Sequence, residues 1–314
     1  MKTPASSQTA SPVPPAETPV PAGQALRTGV RGAVRYWPIL LIFFAVNACA
    51  AAAWTVPLRA ALAPVWDRPG VWGPDGGLPI ASLVEHMLSV SRVADVTVAE
   101  APEDLAPETT LATLAVLGGL IVAVAAAALL PGGAILIYRE GLPSFSFRRF
   151  IWGTAHWSVP FLALWLLEAV VTALAWALGF FLLLFGLAAG AGACALVPGL
   201  IIVLGVPFLF GMLAEYARVA SVADDRRNPF AMLARAWRMV WARPWAYAGI
   251  YALGPVLALA LLALYGYVLS PVTALAALPV MIVAQQLVVF LRLLARLWRL
   301  ASETALMPSP ATSR

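Results

Sequence analysis

Six long apolar stretches constrain this chain more than any other feature of its sequence. The loops between them alternate between strongly basic and acidic or uncharged. A helix needs about 20 apolar residues to cross a hydrocarbon core about 30 Å thick. Six segments supply them, at approximately 37–62, 110–138, 157–186, 194–217, 245–269 and 272–296. The third and fourth are joined by the uncharged run Gly186 to Gly192, and the fourth holds Pro198 and Pro207. Composition agrees with the pattern. The chain is 62% apolar and 11% charged, against about 45–50% and about 25% in soluble domains. Water cannot be the solvent for a surface this poor in polar groups, so lipid is.

The basic residues set the orientation. Lys2, Arg27, Arg31 and Arg35 precede the first stretch, and Arg139, Arg148 and Arg149 lie between the second and third. Arg218, Arg226, Arg227, Arg235, Arg238 and Arg243 separate the fourth from the fifth, and Arg292, Arg296, Arg299 and Arg314 close the chain. These are 17 of the 20 basic residues. The opposite side carries Arg59, Arg68 and Arg92 among eight acids. The expectation is a multi-pass protein of the bacterial cytoplasmic (inner) membrane with both termini cytoplasmic. The sequence pI of 9.6 is then a topology signal, and nucleic acid is not an expected partner.

Residues 1–24 are built from Pro, Ala, Ser, Thr and Gln with Lys2 and Glu17. They read as a disordered cytoplasmic tail, and no apolar run near Lys2 reads as a cleaved signal peptide. Residues 307–314 read as a second tail, leaving 25–306 as the membrane domain, with an outer loop at 63–108. Cys49 and Cys194 are too few for a disulfide or metal framework and read as packing residues.

The chain also repeats itself. LRTGVRGAVRYWPILL from Leu26, FRRFIWGTAHWSVPFL from Phe147 and ARAWRMVWARPWAYAG from Ala234 precede the first, third and fifth stretches. Aligned without gaps, Arg27, Arg148 and Arg235 each stand eight residues before Arg35, His156 and Arg243. In the third copy Asn228-Pro229 supplies a cap and a first-position proline. Phe230, Leu233, Ala234, Trp237, Val240 and Trp241 then form one apolar face, with Arg235 and Arg238 off it. The pattern predicts a helix lying among lipid headgroups. The expected fold is all-α, with six transmembrane helices as three hairpins, each preceded by an amphipathic elbow helix.

GGAILIYREGLPSFSFRRFIWGTAHWSVPFL from Gly132 resembles the second-to-third span region of a family of uncharacterised bacterial six-span membrane proteins. EYARVASVADDRRNPFAMLARAWRMVWARPWAYAGIYAL from Glu215 and LRLLARLWRLASETAL from Leu291 are similar to that family as well, so the likeness covers about half of the chain. The architecture it implies is similar to the membrane domain attached to some glycerophosphodiester phosphodiesterases. No segment reads as the soluble phosphodiesterase domain, so the resemblance implies topology and no activity.

An ionisable residue at bilayer depth is a functional candidate by default. Glu168 is the one well inside a stretch. It lies 12 residues past His156, about 18 Å along a helix at about 1.5 Å per residue, near the expected midplane. Asn47 holds the same place in the first repeat, Gly254-Pro255 in the third, and Gln285 and Gln286 lie in the last stretch. An intramembrane polar centre of Asn47, Glu168, Gln285 and Gln286 has two readings, interhelical glue or a solute or proton site. Glu215 and Arg218, three apart, read as an ion pair at the cytoplasmic end of the fourth stretch. With Arg235, Arg238 and Arg243 they form a candidate surface for anionic lipid headgroups or a protein partner. In the outer loop, Ile80, Leu83, Val84, Met87 and Leu88 give a short amphipathic helix carrying Glu85 and His86 on a solvated face. No P-loop, dinucleotide glycine fingerprint, His-Glu-x-x-His or nucleophile elbow is present. No cofactor and no enzymatic activity are expected. The two functional readings are a non-enzymatic membrane protein acting through lipid or a partner, and a transporter or channel-like protein built around Glu168.

Overall fold

The computed structural model describes residues 20–66, 106–190, 193–269 and 278–307, and all the regular structure among them is helical. In chain order the helices are α1 (Ala22–Arg35), α2 (Trp37–Trp66), α3 (Ala106–Glu140), α4 (Phe147–Ala188) and α5 (Ala193–Leu200). A π-helical turn, Ile201–Gly205, leads into α6 (Val206–Asp224), followed by α7 (Pro229–Ala242) and α8 (Pro244–Leu264). A second π turn, Tyr265–Leu269, and α9 (Leu278–Leu306) complete the series. The expected outer-loop helix, with Glu85 and His86, lies outside the described residues. So does the start of the last expected span.

Among the described residues, three stretches are long and apolar enough to cross a membrane: Phe147–Gly186, Leu196–Asp224 and Pro244–Tyr267. The chain bends by 71° between Ala22–Arg35 and Trp37–Ala53, and that pair makes a fourth if counted as one. Large apolar side chains stay exposed along α4 and α8, among them Leu174, Phe181, Leu184, Leu259 and Leu262. A soluble surface does not carry such a continuous apolar face. The protein is membrane-embedded.

The chain divides into two compact units, one of residues 41–128 and one of residues 1–40 with 129–314. The first holds most of α2 and α3, with Phe43, Ala50 and Ala128 buried and Asn47 exposed. In the second, the centre is the C-terminal half of α6, buried almost without interruption from Gly211 to Val222. Lipid offers no hydrophobic drive for helices to associate, so close packing at small residues matters more there. The helices use it. A Cβ on Gly133 of α3 would sit 2.5 Å from the Phe150 carbonyl oxygen of α4, and one on Gly153 would sit 3.1 Å from the Gly133 Cα. Gly29 of α1 meets Ser302 of α9 just as closely.

Prolines shape the fourth stretch. Pro207 has no N–H for the Val203 carbonyl four residues before it, and that oxygen accepts instead from Trp176 Nε1 of α4 at 3.2 Å. The π turn falls at this point, where such local rearrangements are common. Gly190, at φ +66°, supplies the left-handed backbone that ends α4.

The elbow expectation needs two corrections. The second lead-in segment is not a separate helix, because α4 runs unbroken for 42 residues through Pro160. The first and third copies break next to Pro38 and Pro244, each within the first two residues of the following helix. Pro160 comes later in its segment, inside a helix already under way. The other correction is one of register. Both α1 and α7 have 14 residues, and their C-caps are Tyr36 and Arg243. The structure therefore pairs Tyr36, not Arg35, with Arg243, one residue out of the gapless alignment. On a helix, one residue is a rotation of about 100°, so the correction changes which side chains share a face.

Candidate functional site

The sequence of α6 changes character after Gly211, where Glu215 and Arg218 follow a wholly apolar turn. Both side chains enter the centre of the larger unit. Arg218, 4% exposed, donates from Nη2 to Glu168 Oε2 of α4 at 2.7 Å, and its Nη1 stands 3.8 Å from Glu215 Oε1. That same Glu215 oxygen accepts from Arg299 Nη2 of α9 at 2.8 Å. Arg299 Nε lies 3.5 Å from Glu303 Oε1, and its guanidinium sits 4.8 Å from the centre of the Tyr251 ring of α8. Arg296 is within electrostatic reach of Glu215 and Glu168. Three carboxyl and three guanidinium groups thus tie α4, α6 and α9 together beneath an aromatic ring from α8.

Two glycines make room for this cluster. A Cβ on Gly211 would stand 2.6 Å from the Tyr251 hydroxyl and 3.3 Å from Glu168 Oε1. One on Gly254 would stand 2.8 Å from Arg299 Nη1. Beside it, Tyr216 donates to the Tyr247 carbonyl at 2.9 Å. Glu303 differs from the other acids. It is fully buried, and neither carboxyl oxygen has a hydrogen-bond partner. It lies past the last apolar stretch, and burial pushes its carboxyl up to about 8.

Of the residues expected to form the intramembrane polar centre, Glu168 alone enters this cluster. Gln285 and Gln286 are exposed on α9, and Gln285 donates to the Tyr265 hydroxyl at 3.0 Å. Asn47 is exposed on α2. The expected Glu215 and Arg218 pair is present, but the closer partner of each is on another helix. Arg299, Arg296, Glu303 and Tyr251 were not singled out by the sequence reading. A signal for three of them was there. Arg292, Arg296, Arg299 and Glu303 follow helical spacing along one side of α9, a stripe that a count of basic residues by loop does not reveal.

The lead-in residues sort differently. Asn228 caps α7, its Oδ1 accepting from the Phe230 and Ala231 amides at 3.0 and 3.4 Å. Arg235 is held by Asp224 at 3.2 Å, while Arg238 is exposed. Arg243 closes α7 through its backbone N–H, which donates to the Val240 carbonyl. Arg227 Nη2 lies 2.9 Å from His156 Nε2 of α4. Cys49 and Cys194 are exposed and so are not core packing residues. Among the described residues, no group of three or more His, Cys, Asp or Glu is placed to hold a metal ion.

No protein-family model matches the chain, no curated protein matches it significantly, and no solved structure does. Fold and site together define an all-helical, membrane-embedded protein with a charged, interhelical centre.

Proposed function

We propose that this chain is a six-span protein of the bacterial cytoplasmic membrane, arranged as three hairpins with both termini cytoplasmic. It acts without catalysis, through anionic lipid or a partner protein, at the faces of α1 and α7. The observation that carries this reading is a shared order of three faces around both helices. Ala25, Gly29 and Ala33 are buried on α1, as Met232, Ala236 and Val240 are on α7. Next round each helix comes an exposed apolar strip, Val30 and Val34 on α1, Trp237 and Trp241 on α7. Beyond it comes a basic edge, Arg27, Arg31 and Arg35 on α1 and Arg238 on α7. One side for the protein, one for acyl chains and one for headgroup phosphate is the division an interfacial helix needs. Trp37 and Trp245, exposed just past each helix, are placed as interfacial anchors.

The expected midplane transport site gains no support. Glu168 is committed to Arg218, and Gln285 bonds elsewhere. Helix α4, about 63 Å long at about 1.5 Å per residue, is twice as long as the hydrocarbon core is thick. Within it Glu168 lies level with Arg218 of α6. The ion cluster reads as a lock between helices.

Two measurements test the proposal. Reporter fusions after Arg226 and after Ala301 are expected to report cytoplasm, and one near Asp75 the outside. A cytoplasmic signal at Asp75 rules out six spans. Peptides spanning residues 22–36 and 228–243 are expected to become helical on anionic vesicles but not on zwitterionic ones. Each basic residue near an anionic surface contributes about 1 kcal/mol, so Arg31→Glu and Arg238→Glu should each weaken binding by about fivefold or more. Equal binding by the variants removes the lipid reading of the basic edges.

A further inference from the structure

A cavity of about 350 Å³ lies between α1, the end of α3, α6 and the end of α9. Its volume is at the low end of ligand pockets, which run about 300–1,000 Å³. Thr28, Gly32, Tyr36, Tyr138, Arg139 and Thr304 are among the residues that line it. Two of them carry atoms cut off from solvent and without a hydrogen-bond partner, the Tyr138 hydroxyl and Arg139 Nη1. Buried polar atoms are nearly always satisfied, and here two donors on consecutive residues of the cavity lining are left without a partner. The other polar lining groups do not serve them. Tyr36 donates its hydroxyl to the Leu142 carbonyl at 2.6 Å, and Thr304 donates to Leu300 at 2.8 Å.

The charges nearby favour an anion. Among the described residues, no carboxylate lines the cavity. Glu140 is turned to Arg149 at 3.6 Å, and Asp224 and Asp225 act on Arg139 only through their field. The basic edge of α1 runs alongside, with the Arg35 guanidinium 5.5 Å from the ring centre of Tyr36. A guanidinium, a phenol and the Thr28 hydroxyl, all on residues that line this one cavity, suit an acceptor with several oxygens. Arg in this role binds phosphate or carboxylate through two oxygens at once, and a tetrahedral group leaves further oxygens for the hydroxyls.

We propose that this cavity binds a phosphate-type oxyanion, with Arg139 and Tyr138 as its principal donors. The phosphate arrives either as the headgroup of a phospholipid or as free phosphate. The site lies apart from the outward apolar strips of α1 and α7 and does not depend on them.

The test uses the full-length protein in detergent and in zwitterionic nanodiscs. Inorganic phosphate is titrated by calorimetry, and phosphatidylglycerol retained after delipidation is measured by native mass spectrometry. Binding of phosphate marks the free anion as a ligand, and retention of the lipid alone marks the headgroup. In either case Arg139→Gln should weaken binding by about tenfold or more, and Tyr138→Phe should weaken it by a smaller factor. The Tyr138 hydroxyl has no partner in the protein, so Tyr138→Phe should not lower the thermal stability of the unliganded protein. It therefore carries the test even if Arg139→Gln fails to fold. Arg238→Glu, which probes the face of α7, should leave this binding intact. Neither ligand binding to the wild type, or undiminished binding in Tyr138→Phe, overturns the proposal.

Discussion

Replacing Arg299 by methionine should destabilise the protein by about 3–5 kcal/mol, the range for removing one partner from a buried charge pair. The loss is large because Arg299 serves two acids at once. Without it Glu215, 12% exposed, keeps the longer contact to Arg218 and the field of Arg296, and Glu303 loses the one cation within 4 Å that the described ion pairs give it. Arg292→Met is the control, since Arg292 is exposed on the same helix. Surface changes of that kind usually stay within about 0.5 kcal/mol. Unfolding in mixed micelles measures both, and a loss under about 1 kcal/mol for Arg299→Met would mean that the cluster is not a lock. Glu303 adds a pH signature. Its folded-state value is raised from 4.5 to about 8, so the native state holds a proton that the unfolded state releases above 4.5. Stability from this group is therefore intact at low pH and falls as pH rises between those values. Glu303→Gln should flatten that fall, stabilising the protein at pH 9 with little effect at pH 4.

Gly133→Ala is expected to cost about 1–3 kcal/mol, the range for forcing added atoms into a packed interface. The new methyl would meet the Phe150 carbonyl and Thr154 Oγ1, each at 2.5 Å. The first of these is helix backbone and cannot move aside, so α3 and α4 must separate. Gly249→Ala gives the opposite sign. Nothing lies within 4 Å of its added Cβ, and alanine is the better helix former by about 1 kcal/mol. The same unfolding assay compares the two. Equal effects at both positions would show that the close approach of α3 and α4 contributes nothing.

Much of this architecture follows from the sequence by itself. An uninterrupted apolar run of about 20 residues has few alternatives to a membrane helix, because lipid leaves the backbone no other hydrogen-bond partners. That constraint is local, which is why α2, α3, α4 and α8 lie where the hydropathy of the chain puts them. The cap of α7 is local too, since Asn228-Pro229 acts within one turn. The elbows were only half legible. Pro38 and Pro244 break the chain but Pro160 does not, and the result depends on where in a forming helix each ring falls. The charged centre was not legible from neighbouring residues. Glu168 and Arg218 are 50 residues apart and Glu215 and Arg299 are 84 apart, so no spacing rule connects them. What brings them together is the approach of four helices at Gly211 and Gly254, where a missing Cβ leaves space for an arginine, a tyrosine and a glutamate. Sequence alone thus fixed which residues are costly to leave in lipid. Tertiary structure decided their partners, because a charge in a low-dielectric interior must find an opposite charge wherever the packing of helices supplies one.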